Sequence, residues 1–302
     1  MLSKIVTDIR TNWAISDRER DKGLTTPEDI TRHDDISYGP CGEWNLLDIY
    51  HKKDITACQP TIVNIHGGGW VYGTKEIYQF YCMSLAQRGF TVVNFNYRLA
   101  PENKYPAALE DINSVFCFLK EHGKEYYVDT ENLLVVGDSA GGQLASHYLT
   151  ILTNPEFAKL FIFQTPDVKV RAVALNCGVY DTKNCVDTGV DEYLLEYVDK
   201  EKLTKDMWES LDTIKYMTSD FPPAFVMSAY HDFLVANAEP MYRHLQSLSI
   251  PCELRIYGSK EQEEIAHVFH VNIKLPEAGK CNDEECEFFR RFVGCKPMTK
   301  NV

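Results

Sequence analysis

Ser139 lies in Gly137-Asp-Ser-Ala-Gly-Gly142, directly after the apolar run Leu133-Leu-Val-Val136 and ahead of Gln143-Leu-Ala-Ser-His-Tyr-Leu-Thr-Ile-Leu152, whose apolar positions recur with helical period. A serine held on a sharp strand-to-helix turn has its hydroxyl pushed into the open, and flanking glycines remove the Cβ atoms that would clash in so tight a bend. Three fixed letters in five also fit an ordinary Gly/Ser loop, but strand, elbow and helix in that order favour a nucleophile. A serine hydroxyl is weak at neutral pH, so Ser139 needs a base to take its proton and a group to orient that base.

Nine histidines are available. His267 follows the strand-like segment Cys252–Tyr257 in a loop, where a residue at the carboxyl edge of a sheet can reach the nucleophile. His270, three residues on, competes with it, whereas His147 points along the helix that follows Ser139 and reads as a packing or surface residue. For the acid, Asp232 in Tyr230-His-Asp-Phe-Leu234 follows the strand-like Ala224–Ser228. A helix cap is its plain alternative, because a helical segment begins soon afterwards. The order Ser139, Asp232, His267 is that of α/β-hydrolases. Acyl transfer also needs donors for the developing oxyanion. In Ile62-Val-Asn-Ile-His-Gly-Gly-Gly-Trp70 three glycines follow a strand and leave backbone N–H groups uncovered, and the N–H of Ala140 opens the elbow helix.

The chain resembles the hormone-sensitive-lipase-like group of α/β-hydrolase carboxylesterases through His66-Gly-Gly-Gly-Trp70, Tyr97-Arg-Leu-Ala-Pro-Glu102 with Tyr105-Pro-Ala-Ala-Leu-Glu-Asp111, and Gly137-Asp-Ser-Ala-Gly-Gly142. The resemblance covers roughly residues 45–275. It implies an α/β-hydrolase fold, a mostly parallel sheet of about eight strands covered by helices on both faces with a helical cap. It also implies Ser139 as nucleophile, Asp232 as orienting acid, His267 as base, Gly68, Gly69 and Ala140 as oxyanion donors, and Gly67 as the shaper of their loop. The chain departs from the group twice. Asp232-Phe-Leu-Val-Ala236 stands where the group usually has Asp-Pro-Leu-x-Asp, so the second acid is missing. The segment Gly258–His267 is long and acidic, with Glu261, Glu263 and Glu264 reading as a solvated face.

Independently of any resemblance, short β-like runs alternate with helix-like ones, which argues for a parallel sheet covered on both faces. The strand candidates are Thr61–Ile65, Thr91–Tyr97, Leu133–Val136, Ala172–Asn176, Ala224–Ser228 and Cys252–Tyr257, with Glu43–Tyr50 as an antiparallel strand at the sheet edge. Helical periodicity runs through Tyr105–Glu121, Gly142–Leu152, Val235–Ser247 and Asp283–Phe292. Ile5, Ile9 and Trp13 form an apolar helical stripe in the N-terminal segment. Residues 180–220 are acidic and aromatic without β pattern. On the residues alone these two segments read equally as a cap or as peripheral helices packed on the sheet; the resemblance implies the cap, giving an N-terminal cap segment over 1–44, a catalytic domain over 45–179 and 221–302, and a cap insertion over 180–220.

The length of 302 residues suffices for a large core, and 44% hydrophobic with 25% charged residues is ordinary for a soluble globular chain. A net charge of −13 argues against nucleic acid or an anionic membrane as partner. The charged N-terminus resembles no secretion signal and no apolar stretch is long enough to span a bilayer, so a cytoplasmic address is expected. The ten cysteines are then expected to be reduced, and Cys281, Cys286 and Cys295 lack zinc-site spacing and read as structural. The resulting expectation is a serine carboxylesterase for small, short-acyl esters that uses no metal or organic cofactor. An amidase or peptidase shares the chemistry, and a small-molecule receptor on the same scaffold would show a broken triad. Edge strands leave room for a homodimer, which nothing in the sequence demands.

Overall fold

The computed structural model describes residues 2–188 and 192–294. Eight strands form one sheet: β1 (Ile30–Ser37), β2 (Leu46–Lys52), β3 (Gln59–Ile65), β4 (Thr91–Phe95), β5 (Val128–Asp138), β6 (Val170–Asn176), β7 (Ala224–Ala229) and β8 (Cys252–Tyr257). Their order is β1-β2-β4-β3-β5-β6-β7-β8, with β1/β2 and β2/β4 antiparallel and every other pair parallel. The central strands are buried on both faces, which is why they read as continuous apolar runs. Alternate residues feed two cores: Val63, Ile65, Val93, Val135 and Val173 face one side, and Ile62, Val92, Leu134, Val136 and Ala172 the other.

The helices are α1 (Lys4–Asp21), α2 (Lys75–Gln87), α3 (Ala107–His122), α4 (Ala140–Thr153), α5 (Pro155–Ala158), α6 (Thr182–Thr188), α7 (Glu192–Tyr197), α8 (Lys205–Ser210), α9 (Thr213–Tyr216), α10 (Ala238–Ser247) and α11 (Pro276–Arg290). Residues of α3 and α4 fill the first core, and those of α2 and α11 fill the second. The α1 helix starts at Ser3, whose hydroxyl accepts from Val6 N–H, and buries Val6 and Ile9. The guanidinium of Arg10 donates to the carbonyls of Val71 and Ala100 and to Glu102, tying α1 to the loops after β3 and β4. Among the described residues no helix is long and apolar enough to cross a membrane.

Two expectations are corrected. Glu43–Tyr50 contributes to an antiparallel strand, but β2 is not the edge: β1 lies outside it, inside the segment expected to be cap. β1 mixes polar and apolar residues and breaks register between His33 and Ile36, where Asp35 has φ 57°, so it carries little period-two signal. The α2 helix, absent from the sequence reading, is largely buried along its length, which removes the polar face that marks an amphipathic helix. Cys281 and Cys286 are buried free thiols, as expected of structural cysteines, and Cys295 lies outside the described residues.

Candidate active site

Ser139 follows the end of β5 and precedes α4, with φ 53° and ψ −120°, a conformation that costs a non-glycine residue about 1–3 kcal/mol. The turn is held by Ser139 N–H donating to the Asn176 carbonyl at the end of β6, 2.9 Å away. Gly141 permits it, because a Cβ there would collide with the Ile65 carbonyl at the end of β3. The elbow thus exists because three parallel strands end together and the chain turns through the gap between them.

The imidazole of His267 lies between the other two residues, with Nε2 3.0 Å from Ser139 Oγ and Nδ1 2.7 Å from Asp232 Oδ1. An ionised Asp232 only accepts, so Nδ1 carries the proton and Nε2 presents its lone pair to the serine hydroxyl. Asp232 sits just past β7 and its side chain is fully buried. Burial pushes its carboxyl up, but the hydrogen bond and electrostatic attraction of His267, the Leu234 N–H at 2.9 Å and the Ser228 hydroxyl at 2.7 Å outweigh this and hold it below the usual value. Without the second acid of the group's usual pattern, Asp232 still has three donors, from His267, Leu234 and Ser228. A parallel bridge between His231 and Ala266 fastens the loop that carries Asp232 to the loop that carries His267. Within that second loop Ile265 is buried as an anchor, while Glu261, Glu263 and Glu264 face solvent as expected.

The competing histidines are elsewhere. His270 is fully buried, edge-on to Tyr81, with neither ring nitrogen bonded among the described residues. Burial, reinforced by the nearby His267, pushes it down to about 3. His147 is buried among Tyr105, Phe157 and Phe161, a packing residue pushed down to about 3 by burial.

Gly67, Gly68, Gly69 and Ala140 line the same cavity of ≈ 270 Å³ as Ser139 and His267. Gly68 has φ 122°, and a Cβ on it would collide with the Tyr72 carbonyl. No acceptor among the described residues takes the N–H groups of Gly68, Gly69 or Ala140, whereas Gly67 N–H donates to the Tyr78 hydroxyl at 3.0 Å. Tyr78 in turn donates to Asp138 Oδ2 at 2.7 Å. This link fastens the glycine loop to the elbow. Asp138 is buried beside Ser139, and burial, opposed by Tyr78, His267 and Gly67, pushes it up to about 6.

Sequence reasoning missed Ser228, Tyr78 and Cys177. Ser228 carries a weak signal as the last polar residue of a strand pointing at the acid; the other two are distant in sequence and announce nothing. The Cys177 sulfur, Asp232 oxygen and His267 nitrogen lie within 4.8 Å of one another, a set that could in principle hold a metal. Burial, followed by the Asp232 charge, drives the thiol well above its usual range, so Cys177 is a protonated neighbour of the carboxylate and a poor metal ligand. Further parts of the cavity wall come from α1 through Trp13, Asp17 and Arg20, and from Phe233, whose ring centre is 4.4 Å from that of His267. The described part of residues 180–220 reaches the site indirectly: Tyr197 stacks on Trp70 with ring centres 5.5 Å apart.

A family model described as the alpha/beta hydrolase fold matches residues 62–271. Over 215 residues the chain is 33% identical to the probable carboxylic ester hydrolase LipM of Mycobacterium tuberculosis, covering 68% of this chain and 49% of that protein. Over 216 residues it is 27% identical to an acetyl esterase of Salmonella enteritidis, covering 66% and 63%. The matched region thus spans about half of the mycobacterial relative and less than two thirds of the other. In fold it is similar to esterase B of Lactobacillus rhamnosis, inhibited with a C4-C4 tributyrin phosphonate, at TM-score 0.87 and 24% identity over 97% of this chain and 96% of that one. It is likewise similar to the hyperthermophilic esterase of Pyrobaculum calidifontis, at TM-score 0.74 and 22% identity over 95% and 93%. The chain belongs to the α/β-hydrolase family, in its hormone-sensitive-lipase-like group.

Proposed function

We propose that this protein is a serine carboxylesterase acting on small esters with short acyl chains. The observation that carries the reading is the bonded chain from Ser139 Oγ through His267 to the buried Asp232, at 3.0 and 2.7 Å, opening into a cavity edged by undirected glycine N–H groups. Ser139 Oγ attacks the ester carbonyl carbon while its proton passes to His267 Nε2, and Asp232 stabilises the imidazolium through Nδ1. The carbonyl oxygen, now negative, accepts from Gly68, Gly69 and Ala140; each such donor accounts for about 10²–10³-fold in rate. Collapse breaks the bond to the alcohol, which leaves with the proton from His267, and water repeats the sequence on the acyl-serine to release the acid. No step calls for a metal or organic cofactor.

The short-acyl preference rests on the ≈ 270 Å³ cavity and its bulky wall of Trp13, Trp70 and Phe233. The names acetyl esterase and tributyrin phosphonate among similar proteins support it. In this reading α1 caps the carboxyl edge of the sheet, and the helices between β6 and β7 brace that cap through Tyr197 and Trp70. The test is Ser139→Ala: the folded variant should lose ester hydrolysis by about 10⁴-fold or more, and only the wild type should gain the mass of an organophosphonate. Normal turnover by the variant overturns the reading. A p-nitrophenyl series should peak between acetyl and butyryl, and a matched anilide hydrolysed faster than its ester would make the protein an amidase.

A further inference from the structure

One end of the cavity carries groups for which ester hydrolysis has no use. Trp13, Ser16, Asp17 and Arg20 recur on one face of α1 and all four line the cavity. Asp17 Oδ1 accepts from Arg20 Nη1 at 2.7 Å and Oδ2 accepts from the Tyr72 hydroxyl at 2.6 Å, so each carboxylate oxygen keeps a free lone pair. Arg20 donates through Nε and Nη2 to the two oxygens of Asp21, both at 2.7 Å, and through Nη2 to the Ile77 carbonyl. Four of its five N–H donors are therefore engaged, and the second Nη1–H has no partner among the described residues. The side chains of Arg20 and Asp17 are only 16% and 19% exposed. Removing an ion pair from water is unfavourable enough that apolar side chains often stabilise such a position equally well, and they would hold an acyl chain better.

We propose that Asp17 and Arg20 form a subsite that reads a hydroxyl on one arm of the substrate ester, selecting esters of polyols or of hydroxy acids. A hydroxyl both donates and accepts, and the pair offers a free acceptor beside a free donor. A carboxylate only accepts and would face Asp17, Asp21 and the nearby Asp138. An ammonium only donates and would meet the Arg20 guanidinium. The neutral group with both capacities is the one that fits. The inference rests on the esterase reading and adds the substrate class to it.

The experiment compares kcat/KM within two pairs of esters matched in size: glycerol monobutyrate against propyl butyrate for the alcohol arm, and p-nitrophenyl hydroxybutyrate against p-nitrophenyl butyrate for the acyl arm. The ratio within a pair is the readout, measured in the wild type, Asp17→Asn and Asp17→Ala. In one pair the wild type should favour the hydroxylated ester by roughly tenfold or more, as a hydrogen bond to a charged group warrants. Asp17→Ala should bring that ratio close to one and Asp17→Asn should narrow it. Wild-type ratios near one in both pairs overturn the inference without recourse to any variant, as does a preference that survives both substitutions. If Asp17 only clamps α1 to the Tyr72 loop, the variants lose thermal stability and leave the ratios unmoved. Failure to hydrolyse any of the four esters, or p-nitrophenyl acetate, overturns the esterase reading itself and this inference with it.

Discussion

Asp232, the proposed orienting acid, is held by three hydrogen bonds. Its Oδ1 takes the Leu234 N–H and the His267 Nδ1–H, and its Oδ2 takes the Ser228 hydroxyl. The turn just past β7 therefore fixes the carboxylate before it fixes the imidazole. Asp232→Asn keeps the size and most of these contacts, but its amide can donate to Nδ1, which favours the wrong tautomer of His267. We expect kcat to fall by about 10⁴-fold with little change in KM or unfolding midpoint. Steady-state kinetics with p-nitrophenyl butyrate and a thermal melt would check this, and a fall below tenfold would remove Asp232 from the proposed relay. Asp232 and His267 were legible as candidates because each follows a strand-like run in the order of an α/β-hydrolase triad, although that position alone did not separate His267 from His270. Ser228, Cys177 and Tyr78 were not, because their meaning lies in which atom they face across space.

At the scale of elements, the turn between β5 and α4 depends on what the neighbouring strand does. The Ile65 carbonyl ends β3 directly against Gly141, and backbone on both sides leaves nothing flexible to yield. Gly141→Ala must push α4 and the elbow away from β3, displacing Ser139 relative to the glycine loop. The expected loss is about 3 kcal/mol of stability together with most of the activity. Urea unfolding of the variant checks the first, and a variant with wild-type stability and turnover would show that the elbow can shift freely. Elements with a clean pattern, such as the central strands and α3 and α4, were readable from the sequence to within a few residues. The edge strand β1 was missed because it mixes polar and apolar residues, with only Ile30 buried and a bulge in the middle, and α2 because α1 and the sheet cover it on two sides.

At the scale of the whole molecule, the interior holds ionisable groups whose effects on stability oppose one another. Burial pushes Asp138 up to about 6 and Glu285 up to about 7, and it pushes His66 down to about 4 and His147 and His270 down to about 3. Between the unfolded and folded values the folded state keeps the two acidic protons that the unfolded chain has lost, so their part of the stability falls as pH rises. The histidines act in reverse: below their unfolded value of about 6.5 the unfolded chain takes up protons that the fold refuses, so their part falls as pH falls. From roughly pH 6 down to 4.5 three histidines outweigh two acids by about one proton, or ~1.4 kcal/mol per pH unit, and the two contributions come to cancel only at about pH 7 to 7.5. The part of the stability set by these five groups should therefore rise from pH 4.5 and level off at about pH 7. Glu285→Gln can still accept from Asn176, which bonds Oε2 at 2.7 Å, but has no proton to lose. Relative to wild type it should gain roughly 3 kcal/mol between pH 4.5 and 7. Denaturant unfolding at both values would test this, and a constant difference would mean that Glu285 titrates normally.

The sequence by itself determined the fold class, the order of the catalytic candidates and the nature of the glycine loop. These depend on local rules: apolar runs buried on both faces of a parallel sheet, glycines where backbone approaches backbone, and polar residues at strand ends. Only the tertiary structure decided which histidine meets Ser139. His267 and His270 are three residues apart on one loop, yet one ring faces the cavity and the other is sealed against Tyr81. It also decided that the N-terminal helix walls the cavity and brings Asp17 and Arg20 to it, since packing across more than a hundred residues of chain is set by shape and burial that no local pattern encodes.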